Sequence, residues 1–303
     1  MGKYAQLVMG PAGSGKSTYC LAMQEHFQAS NRVVHVMNLD PAAEQFRYQP
    51  SLDIRDLISL DDACEELGLG PNGGLVFCME YLVQHLEWLD EVVDNYADDY
   101  LLIDCPGQIE LYSHIPVMRQ IARHLTSLGY NVCAVYCVDA LFMAEPAKFL
   151  GGALACLSAM VSLEVPHVNV MTKCDLIKNE DGEAADDEFL NTSVPEVLSA
   201  FRKGSHDERF DALTHAFGDL VRLATNVTTP PLTLTLTVLC LEQYSLVAFV
   251  PLDIGDEDSV ARVVTHVDRA TQYGEDEEPN EEDYFRADAS RHVAAGGNVA
   301  DLY

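Results

Sequence analysis

Nine consecutive residues, Gly10-Pro11-Ala12-Gly13-Ser14-Gly15-Lys16-Ser17-Thr18, carry the densest chemistry in the chain. They follow a short apolar run and open a segment with helical spacing, the context in which G-x-x-x-x-G-K-[ST] is a phosphate-binding Walker A loop. Glycines there let backbone N–H groups turn inward around a β-phosphate, so Gly13, Ser14, Gly15, Lys16, Ser17 and Thr18 become candidate nucleotide contacts. Lys16 would reach the β- and γ-phosphates, and the Ser17 hydroxyl would ligate Mg²⁺. A second apolar run ends in Asp104-Cys105-Pro106-Gly107-Gln108, a D-x-x-G turn of the kind that senses a γ-phosphate. Asp104 is expected to hold the metal through water, the Gly107 N–H to meet the γ-phosphate, and Gln108 to orient a water, with Glu110 two residues on. Asp40, in Asn38-Leu39-Asp40-Pro41-Ala42, ends another run and could serve the metal or the attacking water; a turn starter before Pro41 is the lesser alternative. Thr172-Lys173-Cys174-Asp175 resembles the N-K-x-D guanine signature. Guanine offers N1–H and N2–H₂ on one edge, so the Asp175 carboxylate can accept from both, while the Lys173 stem would lie along the base plane. Thr172 stands where the signature has Asn, removing an amide that bonds both the base and the phosphate loop.

Chemistry at these points needs elements that bring them together. Short apolar runs recur at 5–9, 33–39, 100–103, 132–138, 168–171 and 246–250, each apolar on both parities, as parallel strands covered on both faces must be. Segments of helical spacing lie between them, at 17–29, 76–93, 115–128 and 147–163. This alternation predicts an α/β fold, a doubly wound, mostly parallel sheet whose ligands sit at the carboxyl ends of the strands. Residues 178–217 are polar and acidic with helical patches and read as an insertion over the nucleotide. Residues 221–240 alternate Thr and Leu, suggesting an isolated strand pair or a flap. An amphipathic run at Val260, Val263, Val264, Val267 and Ala270 precedes an acidic stretch, so residues 1–273 are expected to form the domain and 274–303 a disordered tail.

The segment Gly70-Pro71-Asn72-Gly73-Gly74 would by itself suit any tight turn. Together with GPAGSGKST, NLDPAAE, DCPGQIELY and TKCDL, in that order and spacing over most of residues 3–178, it resembles the GPN-loop GTPases, and most their third eukaryotic paralogue. The resemblance implies a P-loop fold of the dimeric G-protein type, GTP or GDP with Mg²⁺ as ligands, and slow GTP hydrolysis. It implies that the loop Gly70, Pro71, Asn72 crosses a dimer interface, with Asn72 acting in trans near the partner's γ-phosphate. Related dimeric ATPases place a Lys after the first Gly of their phosphate loop; Pro11 stands here, so another group must neutralise charge. The same resemblance implies a homodimer or a heterodimer with sister GPN-loop proteins, and a task in assembly and nuclear import of RNA polymerase II.

Composition narrows the remaining classes. Eighteen Lys and Arg stand against 48 Asp and Glu, a formal charge of −30, which repels phosphate backbones and anionic lipid, so neither nucleic acid nor a membrane is expected as partner. The nine cysteines lack C-x-x-C or zinc-like spacing and read as reduced core residues. A strand and phosphate loop begin almost at once, so no leader peptide is expected and the location should be the cytosol, with nuclear access open. Two other readings fit part of the pattern: a hydrolysis-poor, nucleotide-loaded adaptor subunit of a heterodimer, and a small-molecule kinase, which leaves TKCD and DCPGQ unexplained.

Overall fold

The computed structural model of the chain describes residues 2–96, 99–143, 146–176 and 249–275. The expected insertion at 178–217, the Thr-rich segment at 221–240 and all but the first two residues of the expected tail lie outside them.

Strand β1 (Lys3–Met9) is buried along almost its whole length. It leads through the phosphate loop into α1 (Lys16–Ala29) and then β2 (Val34–Asn38). After β3 (Leu52–Asp53) come α2 (Leu60–Leu67), α3 (Pro71–Gln84), α4 (Leu86–Val93) and β4 (Tyr100–Asp104). The chain continues through α5 (Glu110–Ser113), α6 (Val117–Ser127), β5 (Tyr130–Asp139), α7 (Ala140–Met143), α8 (Pro146–Leu163), β6 (His167–Thr172), β7 (Phe249–Pro251) and α9 (Glu257–Thr271). The strands form one sheet in the order β3-β2-β4-β1-β5-β6-β7. Every pairing in it is parallel.

The unbroken apolar runs follow from two-sided coverage. On β1, Ala5, Leu7 and Met9 join a core with Met79 of α3, Ile121 of α6 and Cys156 of α8. Tyr4 and Val8 enter the opposite core with Phe27 of α1 and Val263 of α9. The amphipathic run near the end of the described chain therefore buries Val260, Val263, Val264 and Val267 in the second layer. At roughly 1.5–3 kcal/mol per fully buried large aliphatic side chain, such stripes are the main force holding helices to the sheet. The described cysteines are all free, and all but Cys64 are buried.

Two local expectations need correction. The helix expected over 76–93 begins five residues earlier and is broken at His85. His85 Nδ1 lies 2.9 Å from the Tyr81 carbonyl oxygen, which a continuous helix would offer to the His85 backbone. The His85 N–H turns instead to the Leu82 carbonyl. A side chain that takes the i−4 carbonyl ends the helix without any Pro or Gly. Likewise, Gly70-Pro71-Asn72-Gly73-Gly74 is no free-standing turn. Gly70 is the extended N-cap of α3, and Pro71 opens the helix, where its missing N–H and fixed φ cost nothing. Gly74 is needed for close packing, since a Cβ there would stand 2.4 Å from Cys64 Sγ on α2.

Candidate functional site

β1 is the central strand, and its carboxyl end releases the chain into the phosphate loop between the ends of β4 and β5. Gly10 has φ +136°, and a Cβ on it would lie 2.2 Å from the Cys137 carbonyl oxygen, so only glycine fits where the loop leaves the sheet. Gly13 and Gly15 also hold positive φ, at +78° and +90°. Gly15 is the N-cap of α1 and has no side chain to occupy the first-turn N–H groups, which remain donors for an anion. Lys16 is 8% exposed, and its ammonium donates to the Pro11 carbonyl at 3.2 Å, folding the side chain over the loop. Ser14 Oγ is buried without a hydrogen-bond partner among the described residues. Thr18 sits in the first turn of α1, partly exposed.

Asp104 ends β4 beside this loop and is 4% exposed. Burial pushes its carboxyl above the usual carboxylate range; hydrogen bonds from Ser17 and Tyr48 and the Lys16 ammonium oppose that rise, and the charge of Asp40 adds to it. Asp40 is itself raised by burial and lowered by the Ala42 N–H and by Lys16. The structure thus brings Lys16, Ser17, Asp40 and Asp104 into one electrostatic group. Asp40 Oδ1 accepts from the Ala42 N–H at 2.9 Å, so the turn role and a place in this group coexist. Gly107 abuts the phosphate loop, where a Cβ would meet Ala12 Cα at 2.9 Å. Gln108 follows, with Oε1 buried and without a hydrogen-bond partner among the described residues.

The expected base-binding turn is built on β6. Thr172 is 4% exposed; its Oγ1 lies 2.6 Å from the Ser14 carbonyl and 3.0 Å from that of Val138. Thr at this position therefore keeps a tie to the phosphate loop through its hydroxyl, without the Asn amide. Lys173 adopts φ +60°, and its ammonium pairs with Asp139 Oδ2 at 2.6 Å, which fixes its stem across the end of β5. Cys174 is buried, and its N–H reaches the Leu252 carbonyl at 3.4 Å, fastening the turn to the strand after it. Asp175 is exposed.

Two expected groups stand apart. Asn72 is exposed in the first turn of α3. Glu110 is exposed at the start of α5. Two residues were missed. Asp139 could have been found as the residue directly after an apolar run, at a strand's carboxyl end. Tyr48, whose hydroxyl donates to Asp104 Oδ2 at 2.8 Å, lies in an irregular segment with no periodic signal.

The donors suit magnesium: the Ser17 hydroxyl and the Asp104 carboxylate are hard oxygen ligands, already hydrogen-bonded to each other, with Asp40 alongside. Among the described residues no three of His, Cys, Asp or Glu gather into a metal cage. An ion here would lean on phosphate oxygens and water, as magnesium commonly does.

A family model described as a conserved hypothetical ATP binding protein matches residues 8–273. A Dictyostelium discoideum protein named GPN-loop GTPase 3 is 49% identical over 281 residues, covering 93% of this chain and 91% of that one. Proteins of the same name from Mycosarcoma maydis and Danio rerio are each 46% identical, covering 93% of this chain and 96% and 94% of theirs. A crystal structure of a GTPase in apo form from Pyrococcus abyssi matches with a TM-score of 0.62 and 22% identity, over 88% of this chain and 97% of that chain. At that identity the likeness supports the fold.

Proposed function

We propose a function that starts from one premise: this chain belongs to the GPN-loop GTPase family. It binds guanine nucleotide and hydrolyses GTP. The observation that carries this reading is the convergence of Lys16, Ser17, Asp40 and Asp104 beneath a loop whose N–H groups have no side-chain cap.

Backbone N–H groups of Gly13 to Thr18 and the Lys16 ammonium would surround the β- and γ-phosphates. Mg²⁺, held by Ser17 and through water by Asp104, would neutralise charge on the terminal phosphoryl group. The Gly107 N–H would meet the γ-phosphate, and Gln108, whose Oε1 has no partner among the described residues, would orient the attacking water. Asp40 would accept its proton or steady it. Oriented attack and fixed charge supply most of the rate in such reactions, because the phosphoryl transition state asks for little covalent help. Asp175 would accept from guanine, and Lys173, steadied by Asp139, would cover the base. The exposure of Asn72 supports a role outside its own pocket, in trans across a dimer with a second copy or a sister GPN-loop protein. A task in RNA polymerase II assembly and nuclear import rests on the motif resemblance alone.

Purified protein, alone and with a sister subunit, should release phosphate from GTP. Lys16→Ala should abolish turnover by a hundredfold or more on the order expected when a main charge donor to the phosphoryl group is lost. GTP binding with no turnover that Lys16→Ala or Gln108→Ala removes would favour the adaptor reading. ATP displacing labelled GTP equally well would take Asp175 out of base recognition.

A further inference from the structure

Between β2 and β3 the chain runs through Asp40 to Ser51 without regular structure, yet it is fastened along its length. Asn38 and Asp40 exchange two hydrogen bonds at 3.0 Å, Asn38 Nδ2 to the Asp40 carbonyl and the Asp40 N–H to Asn38 Oδ1. Arg55, paired with Asp53, donates to the Ala43 carbonyl at 2.9 Å and lays its guanidinium 4.6 Å from the Phe46 ring centre. Phe46 in turn meets the Tyr48 ring at 5.5 Å between centroids. Tyr48 is 5% exposed and belongs to the core beneath α1 and α9. The Ser51 N–H closes the segment on the Val36 carbonyl at 2.7 Å. The inner end of this chain of contacts is the bond from the Tyr48 hydroxyl to Asp104 Oδ2, at 2.8 Å and out of water.

We propose that Tyr48 is a positioning residue for the magnesium site, its hydroxyl fixing the orientation of the Asp104 carboxylate and tying the Asp40-bearing segment to it. A buried carboxylate with one oxygen engaged by a neutral donor has one remaining orientation in which to address a metal-bound water. A phenol is suited to this, because it donates without adding a charge that would repel the cation. The same bond makes the two carboxylates of the pocket a unit: Asp104 cannot turn without pulling on the segment that carries Asp40. This inference rests on the proposed binding of magnesium and nucleotide.

The test is a fluorescence titration of N-methylanthraniloyl-GDP with Mg²⁺ varied, on the full chain. Tyr48→Phe keeps the ring and its packing and removes only the donor. Its GDP affinity in EDTA and its circular dichroism should match wild type. The Mg²⁺ concentration that half-restores tight binding should rise about tenfold, the scale of a lost hydrogen bond to a charged group. In an Asp104→Ala background, which removes the acceptor, the same substitution should change nothing further, as residues acting through one contact are non-additive. A Mg²⁺ midpoint unmoved by Tyr48→Phe, an equal loss with and without EDTA, or a full extra loss in the Asp104→Ala background each overturns the inference. Wild type showing no Mg²⁺ dependence would sink the metal reading as well, so the two failures are told apart.

Discussion

At the scale of single residues, Thr172 shows how one side chain can divide a motif's duties. The amide of an N-K-x-D turn serves the base and the phosphate loop together; Thr172 serves the loop, through the short contact to the Ser14 carbonyl. Its one proton lies between two buried carbonyls, that of Ser14 at 2.6 Å and that of Val138 at 3.0 Å. Thr172→Val preserves shape but leaves both carbonyls without this donor, a loss of about 1–3 kcal/mol for buried groups. We expect the thermal midpoint of the free protein to fall by several degrees and GDP binding to weaken about tenfold, since the loop would no longer be pinned before the phosphate arrives. Thr172→Asn should keep the midpoint near wild type and sharpen the preference for GDP over ADP. A Val variant that melts and binds like wild type would show the contact to be idle.

At the scale of elements, the start of α3 offers a test within two adjacent positions. Gly73 is exposed, and a Cβ there would find Leu69 Cβ at an ordinary 3.7 Å. Gly73→Ala should therefore stabilise the helix by roughly 0.5–1 kcal/mol through backbone entropy. Gly74→Ala would press on Cys64 Sγ at 2.4 Å and Leu60 Cδ1 at 3.0 Å, so overpacking of about 1–3 kcal/mol should outweigh the same gain. Thermal melts should rank Gly73→Ala above wild type and Gly74→Ala below it, and Cys64→Ala should partly rescue the latter. The reverse order would mean that α2 and α3 are not packed as described. Much of this architecture was legible beforehand, because a strand buried on both faces cannot hide its apolar run and a Walker A loop fixes the strand before it and the helix after it. The break at His85 was not legible, since it depends on an imidazole reaching a carbonyl one turn back rather than on a helix-breaking residue type. Tyr48 was invisible for another reason: its importance is a contact across 56 positions of sequence, and its own neighbourhood carries no period. Asp139 was readable in principle, as a strand-end carboxylate, but its ion pair with Lys173 required the β5–β6 pairing to be known.

At the scale of the whole molecule, the charge of −30 bears on any association of two copies. Like-charged surfaces repel across a Debye length, about 8 Å at physiological salt and several times longer in dilute buffer. If the nucleotide-bound protein self-associates as proposed, raising NaCl from about 20 to about 300 mM should tighten the dimer, as read by light scattering with a GTP analogue. A mass that stays monomeric at every salt concentration, with and without a sister subunit, would remove Asn72 from catalysis. The pairing of β6 with β7 has a separate consequence. Leu252 donates to the Met171 carbonyl at 2.8 Å and accepts from the Cys174 N–H, so the end of β7 is moored to the Thr172–Asp175 turn proposed to hold the base. A strand joined to that turn by two main-chain bonds cannot slide without carrying Cys174 and the seat of Asp175 with it, so a change that loosens β7 should be felt in the choice of nucleotide before it is felt in the grip on phosphate.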